Sequence, residues 1–186
     1  MNSKMKQNLV LVADNDKLIK FRKEKDKHWK EDEQSPLTEE QKKTFKRLNY
    51  FLPNPDLRFE LPLLTDIPDL GKQVVIKTTG GDEQVYKRAG KIRFKVDGKE
   101  IETIVFEDPE VEQFQYYLLF KDKTTGKETY ENGRMLQIEK KGDKLVVDFN
   151  YCYNPYSSYN DNWDCPITPK ENTLNVEINA GEKKFI

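Results

Sequence analysis

A period-two alternation of apolar and polar residues runs through the chain from Asp56 onward and constrains its fold more than any other feature. In the clearest stretch Ile92, Phe94 and Val96 alternate with basic residues, as expected for a strand whose successive side chains point to opposite faces. Tight glycine-containing turns such as Asp97–Gly98 separate runs of this kind. The roughly eight or nine short strands predict an antiparallel sandwich, roll or barrel.

The first 50 residues follow a helical pattern instead. Residues 14–33 interleave basic and acidic side chains at i,i+4 spacing, which is typical of a solvated helix. Thr38 and Gln41 form a capping-box pattern, which predicts that a second helix begins here and runs to about Leu48. Pro53 prevents that helix from continuing. We therefore expect two helices before the first strand.

Together these patterns predict an α+β fold, in which an N-terminal helical segment precedes a mainly antiparallel β-sandwich, roll or barrel. We expect residues 1–50 to form a helical appendage packed on the core, and residues 51–186 to form the β domain. The chain has 186 residues, which suits one domain of roughly 150 residues with an appendage.

Charge and hydropathy exclude several classes of partner. Lysine and arginine number 32 against 33 aspartates and glutamates, so the formal net charge is -1. Nucleic-acid binding requires a basic stripe, and a membrane span requires roughly 20 apolar residues, and the sequence has neither. We therefore expect no nucleic-acid and no membrane partner, with the oligomeric state left open. The expected location is the cytoplasm, or the periplasm or exterior if a leader precedes the chain.

The lone histidine and two cysteines restrict the chemistry further. His28 is the only histidine, which removes most histidine-based metal sites and catalytic triads. Cys152 and Cys165 lack the spacing of a zinc site, and we expect buried free thiols in a reducing compartment, with a disulfide left open for an oxidising one. We expect no metal and no cofactor.

Residues 150–173 have neither helical nor strand periodicity. Loops longer than roughly 12–15 residues are uncommon in compact domains and are usually either functional or disordered. Disorder is disfavoured because the segment holds many aromatic side chains, which offer a large area to bury. They are Tyr151, Tyr153, Tyr156, Tyr159 and Trp163. We expect an ordered aromatic loop over the sheet, which either forms one wall of a ligand pocket or plugs one end of a barrel.

The strand that enters this loop carries the most informative polar residues. Apolar side chains occupy one face of residues 145–149, so Asp148 and Asn150 project together from the other. Arg134 is a candidate partner for the Asp148 carboxylate, because guanidinium and carboxylate match in bidentate geometry. Such a group either lines a pocket or forms a structural network. The candidate ligand-binding residues are Arg134, Asp148, Asn150, Tyr153, Asn154, Tyr159, Trp163, Glu171 and Asn172.

Three functions remain open from the residues alone. The one we favour is a soluble binding domain for a small polar ligand, held between the sheet and loop 150–173. The alternative is a histidine-independent hydrolase-like enzyme, in which Asp148 or Glu128 acts as general base and Arg134 as electrostatic stabiliser. Tyr130 or Tyr153 would then donate the proton. The third is a structural or protein-interaction domain.

A set of short motifs covers nearly the whole chain after the first helix. The more specific ones are Thr125–Gly126, Glu128–Thr129–Tyr130, Gly133–Arg134, Asp148–Phe149–Asn150, Tyr153–Asn154–Pro155, Cys165–Pro166, Glu171–Asn172 and Ala180–Gly181–Glu182–Lys183. With these the chain resembles an uncharacterised bacterial and archaeal family, domain of unknown function 1684. The resemblance implies no activity, but it implies that the aromatic loop belongs to the family pattern. The chain departs from the family at Ser157, near which members often carry a cysteine, and at Lys91, where an arginine is usual.

Overall fold

The computed structural model describes residues 3–109 and 116–185, with side chains from residue 14 onward. Two α-helices precede seven strands in these ranges. The helices are α1 (Ser3–Glu31) and α2 (Glu39–Thr44). The strands are β1 (Arg58–Pro62), β2 (Gln73–Lys77), β3 (Glu83–Val96), β4 (Lys99–Glu107), β5 (Tyr116–Phe120), β6 (Arg134–Lys141) and β7 (Lys144–Asp148). One-turn 3₁₀ helices occupy residues 55–57, 149–151, 156–158 and 170–172.

The seven strands form one antiparallel sheet in the order β1-β7-β6-β5-β4-β3-β2. The predicted mainly antiparallel architecture is confirmed, whereas the barrel alternative is wrong, because the edge strands β1 and β2 do not pair with each other. An isolated antiparallel bridge joins Leu64, just after β1, to Lys91 in β3 across the open sheet. Gly90 makes this approach possible, since a Cβ there would lie 2.5 Å from the Leu64 carbonyl oxygen.

One side of the sheet holds the main core. The predicted inward face of β7 is confirmed, because Leu145, Val147 and the following Phe149 are all buried there. Alternate residues of β3, β5 and β6 face the same core. The chain after residue 173 fills the remaining volume with a buried side chain at every second position. These are Leu174, Val176, Ile178 and Ala180.

Residues 174–178 alternate apolar and polar side chains, a pattern from which we expect a last strand, but they join no ladder among the described residues, so this expectation is wrong. The alternation of buried and exposed residues survives because the segment crosses the core. Its backbone binds the turn after β5 instead, with Leu174 N–H donating to the Lys121 carbonyl at 2.7 Å. The Ile178 N–H donates to the Asp122 carboxylate at 2.6 Å. The turn after β5 and the Asp122 side chain thus accept hydrogen bonds that a neighbouring strand would normally accept.

The two helices differ in length from those predicted. Helix α1 begins at Ser3, well before residue 14. The capping box at Thr38 and Gln41 is confirmed, but α2 ends at Thr44, because the chain becomes extended at Phe45. Extension lets both Phe45 and Leu48 reach a small core shared with Trp29, Leu37 and Tyr159. No helix of the described residues is long and apolar enough to cross a membrane.

Candidate functional site

Arg134, at the start of β6, is buried and bound almost entirely to backbone. Its guanidinium donates to the carbonyl oxygens of Ala180 at 2.6 Å, Ile178 at 2.9 Å and Glu182 at 3.2 Å. Its carboxylate partner is Asp122, at 3.3 Å, rather than Asp148. The side chain is 1% exposed, so it ties the C-terminal segment to the sheet and offers nothing to a ligand.

Two of the predicted asparagines are used in the same way. Asn150 accepts from the Asn54 N–H at 2.7 Å and donates to the Asn54 carbonyl at 2.8 Å. Asn172 accepts from the Ile104 N–H at 3.0 Å and donates to the carbonyls of Ile104 and Leu119, both at 2.8 Å. Each amide therefore replaces backbone partners for a segment that has no neighbouring strand there.

Glu182 is a buried carboxylate that we did not predict from the sequence. It accepts from the Asn154 N–H at 2.8 Å and from the Tyr159 hydroxyl at 3.0 Å, and it forms an ion pair with Lys25 of α1. The Asn154 amide also donates to the Lys183 carbonyl at 2.8 Å. Burial, with the nearby Glu182 carboxylate, raises the pKa of Tyr159 well above its usual value.

A sequence signal for Glu182 existed. The buried alternation of residues 174, 176, 178 and 180 continues by two to residue 182, which places a carboxylate on the inward face. Gly181 permits the close packing, because a Cβ there would lie 2.3 Å from the Cys152 sulfur. We use the name buried polar network for the six buried polar side chains that hold the loop and the C-terminal segment. Its members are Asp122, Arg134, Asn150, Asn154, Asn172 and Glu182.

The aromatic part of the loop packs against the N-terminal helices. Tyr159 is buried, and its ring centroid lies 6.0 Å from that of Trp29. Tyr156 lies 5.9 Å from Trp29 and 5.0 Å from Trp163. The Trp163 indole N–H donates to the Pro36 carbonyl at 3.0 Å. The loop is therefore ordered, and Tyr159 and Trp163 face the helical segment rather than the sheet.

Two other predicted residues, Asp148 and Tyr153, line a cleft between α1 and the outer face of β6 and β7. Its volume is about 640 Å³. Phe21, Tyr151 and Tyr153 supply aromatic walls, with the rings of Phe21 and Tyr151 5.1 Å apart. The other described side chains around it include Asp14, Arg58, Gln137, Glu139, Lys140 and Val146. We call this the α1–sheet cleft.

The polar groups of the α1–sheet cleft keep unused hydrogen-bonding capacity. The Asp148 Oδ1 atom accepts from the backbone and side-chain nitrogens of Asn150, at 3.0 and 2.8 Å. Among the residues whose side chains are described, its Oδ2 atom has only a loose contact with the Arg58 guanidinium, at 3.9 Å. Burial, reinforced by the carboxylates of Asp148 and Asp14, raises the pKa of Tyr151. The Tyr151 hydroxyl is therefore a neutral donor over the physiological range.

The structure does not bring all the predicted catalytic residues together, although Asp148 and Tyr153 both line the α1–sheet cleft. Asp148 lies in the α1–sheet cleft, whereas Glu128 is exposed and paired with Lys183 at 3.2 Å. The Tyr130 hydroxyl accepts from the Asn132 amide at 3.1 Å. Glu171 forms an ion pair with Arg88 at 2.5 Å. No general base, guanidinium and proton donor from this set therefore share one site in the described part of the chain.

Both cysteines are free thiols, as predicted. Cys152 is buried beside the C-terminal segment, and burial raises its pKa to about 11. Cys165 is half-buried and accepts from the Ser157 N–H at 3.4 Å. Among the residues whose positions are described, no cluster of three or more His, Cys, Asp or Glu side chains has the geometry to hold a metal ion.

Comparison with known proteins identifies relatives of this chain. Residues 43–183 match the model of a family described as a protein of unknown function, DUF1684. The solution NMR structure of an uncharacterized protein of Haloarcula marismortui is similar, with 29% sequence identity and a TM-score of 0.67. That alignment covers 98% of this chain and 97% of the other. A search of curated proteins finds no match. The resemblance read from the short motifs is confirmed.

Proposed function

The chain belongs to the DUF1684 family, and on that premise we propose that it is a binding domain for a small polar ligand, which occupies the α1–sheet cleft. The observation that carries the proposal is the cleft itself, where aromatic walls and underused polar atoms converge. The site lies at the beginning of the predicted loop, at Tyr151 and Tyr153, rather than beneath its middle.

The size and lining of the cleft support a small organic ligand. A volume of about 640 Å³ lies within the range of roughly 300–1,000 Å³ that is typical of ligand pockets. Phe21, Tyr151 and Tyr153 offer ring surfaces against which a planar ligand stacks. Tyr153 is held in place by two backbone hydrogen bonds with Met135, both at 2.8 Å. The wall that would contact the ligand is therefore attached to a strand.

The polar groups favour a ligand that carries a cationic or hydrogen-bond-donating group. The free Asp148 Oδ2 atom accepts from such a group, and the Tyr151 hydroxyl donates to an oxygen or nitrogen beside it. The Arg58 guanidinium uses its Nη2 atom on Glu60, at 3.2 Å, and its remaining N–H groups are the donors proposed for a carbonyl or carboxylate on the same ligand. The proposed ligand is therefore a planar molecule that carries one hydrogen-bond donor group and one acceptor group.

A structural role is the second candidate, and it applies to the buried polar network. Arg134, Asn150 and Asn172 bind backbone groups at hydrogen-bonding distance and have no open space beside them in the cleft. The buried polar network therefore stabilises the positions of the loop and the C-terminal segment, and the α1–sheet cleft binds the ligand. The hydrolase alternative has no comparable support.

A thermal-shift screen of polar metabolites tests the binding proposal. A ligand at about 100 times its dissociation constant stabilises the fold by about 2.7 kcal/mol, which raises the melting temperature of a chain this size by about 5–10 °C. The diagnostic variant is Val146→Trp, which places an indole in the cleft, because Val146 lines it. The matched control is Val75→Trp, at an exposed position of the edge strand β2.

The expected result is a ligand-induced shift in the native protein and in Val75→Trp, and no shift in Val146→Trp. The melting temperature of each variant without ligand shows whether it is folded. A hit that shifts a folded Val146→Trp as much as the native protein would place the ligand elsewhere, and an empty screen would contradict the binding function.

A further inference from the structure

A second and separate groove lies between α1 and the extended segment of residues 47–53. Its volume is about 810 Å³, and Lys183 and Lys184 close one end. Five basic and two acidic side chains line it, although the whole chain carries a net charge of -1. The excess of positive charge is therefore local, and we call this site the basic groove.

The two carboxylates of the basic groove already have partners. Asp26 accepts from the Leu48 N–H at 2.8 Å, and Glu128 pairs with Lys183 at 3.2 Å. Within residues 14–109 and 116–185, no carboxylate lies within ion-pair distance of Lys23 or Arg47. The Lys184 ammonium reaches only a backbone carbonyl, that of Gly126, at 2.9 Å. Among the described residues Lys23, Arg47 and Lys184 thus form no ion pair, and the Arg47 charge acts on the Asp26 carboxylate from beyond ion-pair distance.

A buried guanidinium lies at the inner side of the basic groove. Arg22 is 7% exposed, and its Nη1 atom donates to the Phe51 carbonyl at 2.9 Å. Its Nε atom has no hydrogen-bond partner, and the Tyr50 hydroxyl, also buried, has none either. The guanidinium carbon lies 4.4 Å from the Tyr50 ring centroid. Buried donors without partners are rare in folded proteins, and here two of them adjoin a cationic groove.

An apolar margin accompanies these charges. Leu52 is 86% exposed, and Ile19 on the facing side of α1 is 40% exposed. Both side chains line the same groove. An inorganic ion would leave these surfaces in water, whereas the carbon skeleton of an organic anion would cover part of them.

From this placement we propose that the basic groove binds an organic polyanion, a molecule with two or more carboxylate or phosphate groups. Its oxyanions contact Lys23 and Lys184 on opposite walls, with Arg47 at the third, and its carbon skeleton contacts Leu52. Charge-assisted hydrogen bonds to several cations favour a multivalent over a monovalent anion. The groove shares no lining residue with the α1–sheet cleft, so this proposal does not rest on the function proposed there.

Isothermal titration calorimetry with citrate and with fructose 1,6-bisphosphate tests the proposal and distinguishes carboxylate from phosphate recognition. The variant is Lys23→Gln with Arg47→Gln, which removes two exposed groove cations that make no ion pair. The control is Lys141→Gln with Lys144→Gln, at the exposed turn between β6 and β7, which removes the same charge from another surface. Acetate serves as the monovalent comparison.

We expect citrate, fructose 1,6-bisphosphate or both to bind the native protein more tightly than acetate does. In the groove variant the dissociation constant should rise by about tenfold or more, and in the control by less than about twofold. Val146→Trp should leave this binding unchanged. Absence of binding at about 10 mM of either polyanion, or an equal loss in both double variants, would overturn the proposal.

Discussion

The buried polar network and the α1–sheet cleft are built from similar polar residues, yet the fold itself uses the hydrogen bonds of the first, and we propose ligand binding only for the second. In the network, Arg134 and Asn172 lie beside backbone segments that have no strand partner, and the backbone uses their donors. In the cleft, Asp148 ends a regular strand whose backbone is already paired, so among the described residues one carboxylate oxygen keeps only the loose contact with Arg58. A polar residue near a long loop becomes structural where unpaired backbone passes within reach.

Two residues link these regions: Asn150 of the network donates to Asp148 of the cleft, and Lys25 contacts both. The Lys25 ammonium of α1 pairs with Glu182 in the network and lies 5.1 Å from the ring centroid of Tyr153, which lines the cleft. The network therefore holds in place the helix that forms one side of the cleft. Disrupting the network should damage the fold, and disrupting the cleft should damage binding alone.

The largest expected effect is that of Arg134→Met. Removing the guanidinium leaves Asp122 and three carbonyl oxygens buried without this donor, and breaking a buried pair of this kind costs about 3–5 kcal/mol. Urea unfolding followed by circular dichroism measures the loss. The control is Arg93→Met, at an exposed surface pair, which should change stability by less than about 1 kcal/mol. Similar losses in both variants would contradict the structural role of the network.

The second prediction concerns alkaline pH. Burial raises the pKa values of Tyr50, Tyr153 and Tyr159 in the folded protein, whereas unfolded tyrosine ionises near pH 10. The unfolded state therefore loses protons first, and stability present below about pH 10 falls as the pH rises, by up to about 1.4 kcal/mol per pH unit for each group. Urea midpoints at several pH values measure the slope, and Tyr159→Phe should make it shallower. An unchanged slope would show that Tyr159 ionises freely in the folded state.

A smaller effect on stability is expected for Asp148→Asn. Asparagine is as good as aspartate at accepting from the Asn150 N–H, so the turn after β7 keeps its cap. The loose contact with Arg58 contributes little. Urea unfolding should show a loss below about 1 kcal/mol. A loss as large as that of Arg134→Met would place Asp148 in the network rather than in the cleft.

The smallest expected effect is a difference in reactivity between the two thiols. In the native protein a disulfide reagent should modify Cys165 first, because this side chain is half-buried and Cys152 is 1% exposed. Burial also raises the pKa of Cys152 to about 11, which leaves little reactive thiolate at neutral pH. Mass spectrometry of the labelled chain should find the second modification only after unfolding. Rapid labelling of Cys152 in the folded protein would indicate that the C-terminal segment opens.

The parts of the fold that depend on short sequence patterns were predictable from the sequence. The alternation of residues 145–149 correctly assigned Leu145, Val147 and Phe149 to the core, and the capping box correctly placed the start of α2. These features depend on neighbours close in sequence. Local patterns do not show whether a sheet closes into a barrel or stays open. That depends on contacts between residues far apart in sequence, such as that between Leu64 and Lys91.

The candidate site was less predictable for the same reason. Sequence identified Asp148 and Asn150 as neighbours, but the partner of Asn150 is Asn54, almost one hundred residues away. The burial of Arg134 depends on three carbonyl groups near the C-terminus, to which no local pattern points. Glu182 stood in one of the family motifs and continued an apolar alternation, but neither pattern showed that its carboxylate is buried.

Backbone NMR spectra of the labelled protein, titrated with benzamidine and separately with benzoate, test the central claim most directly. Both are planar fragments. The amidinium of benzamidine matches the Asp148 carboxylate, and the carboxylate of benzoate matches the Arg58 guanidinium. We predict that benzamidine shifts the signals of Gln137, Val146 and Tyr153 at millimolar concentration, and that Asp148→Asn abolishes these shifts. Shifts at Asn154 and Asn172 with none at Val146, or no shifts with either fragment, would contradict the assignment of ligand binding to the α1–sheet cleft.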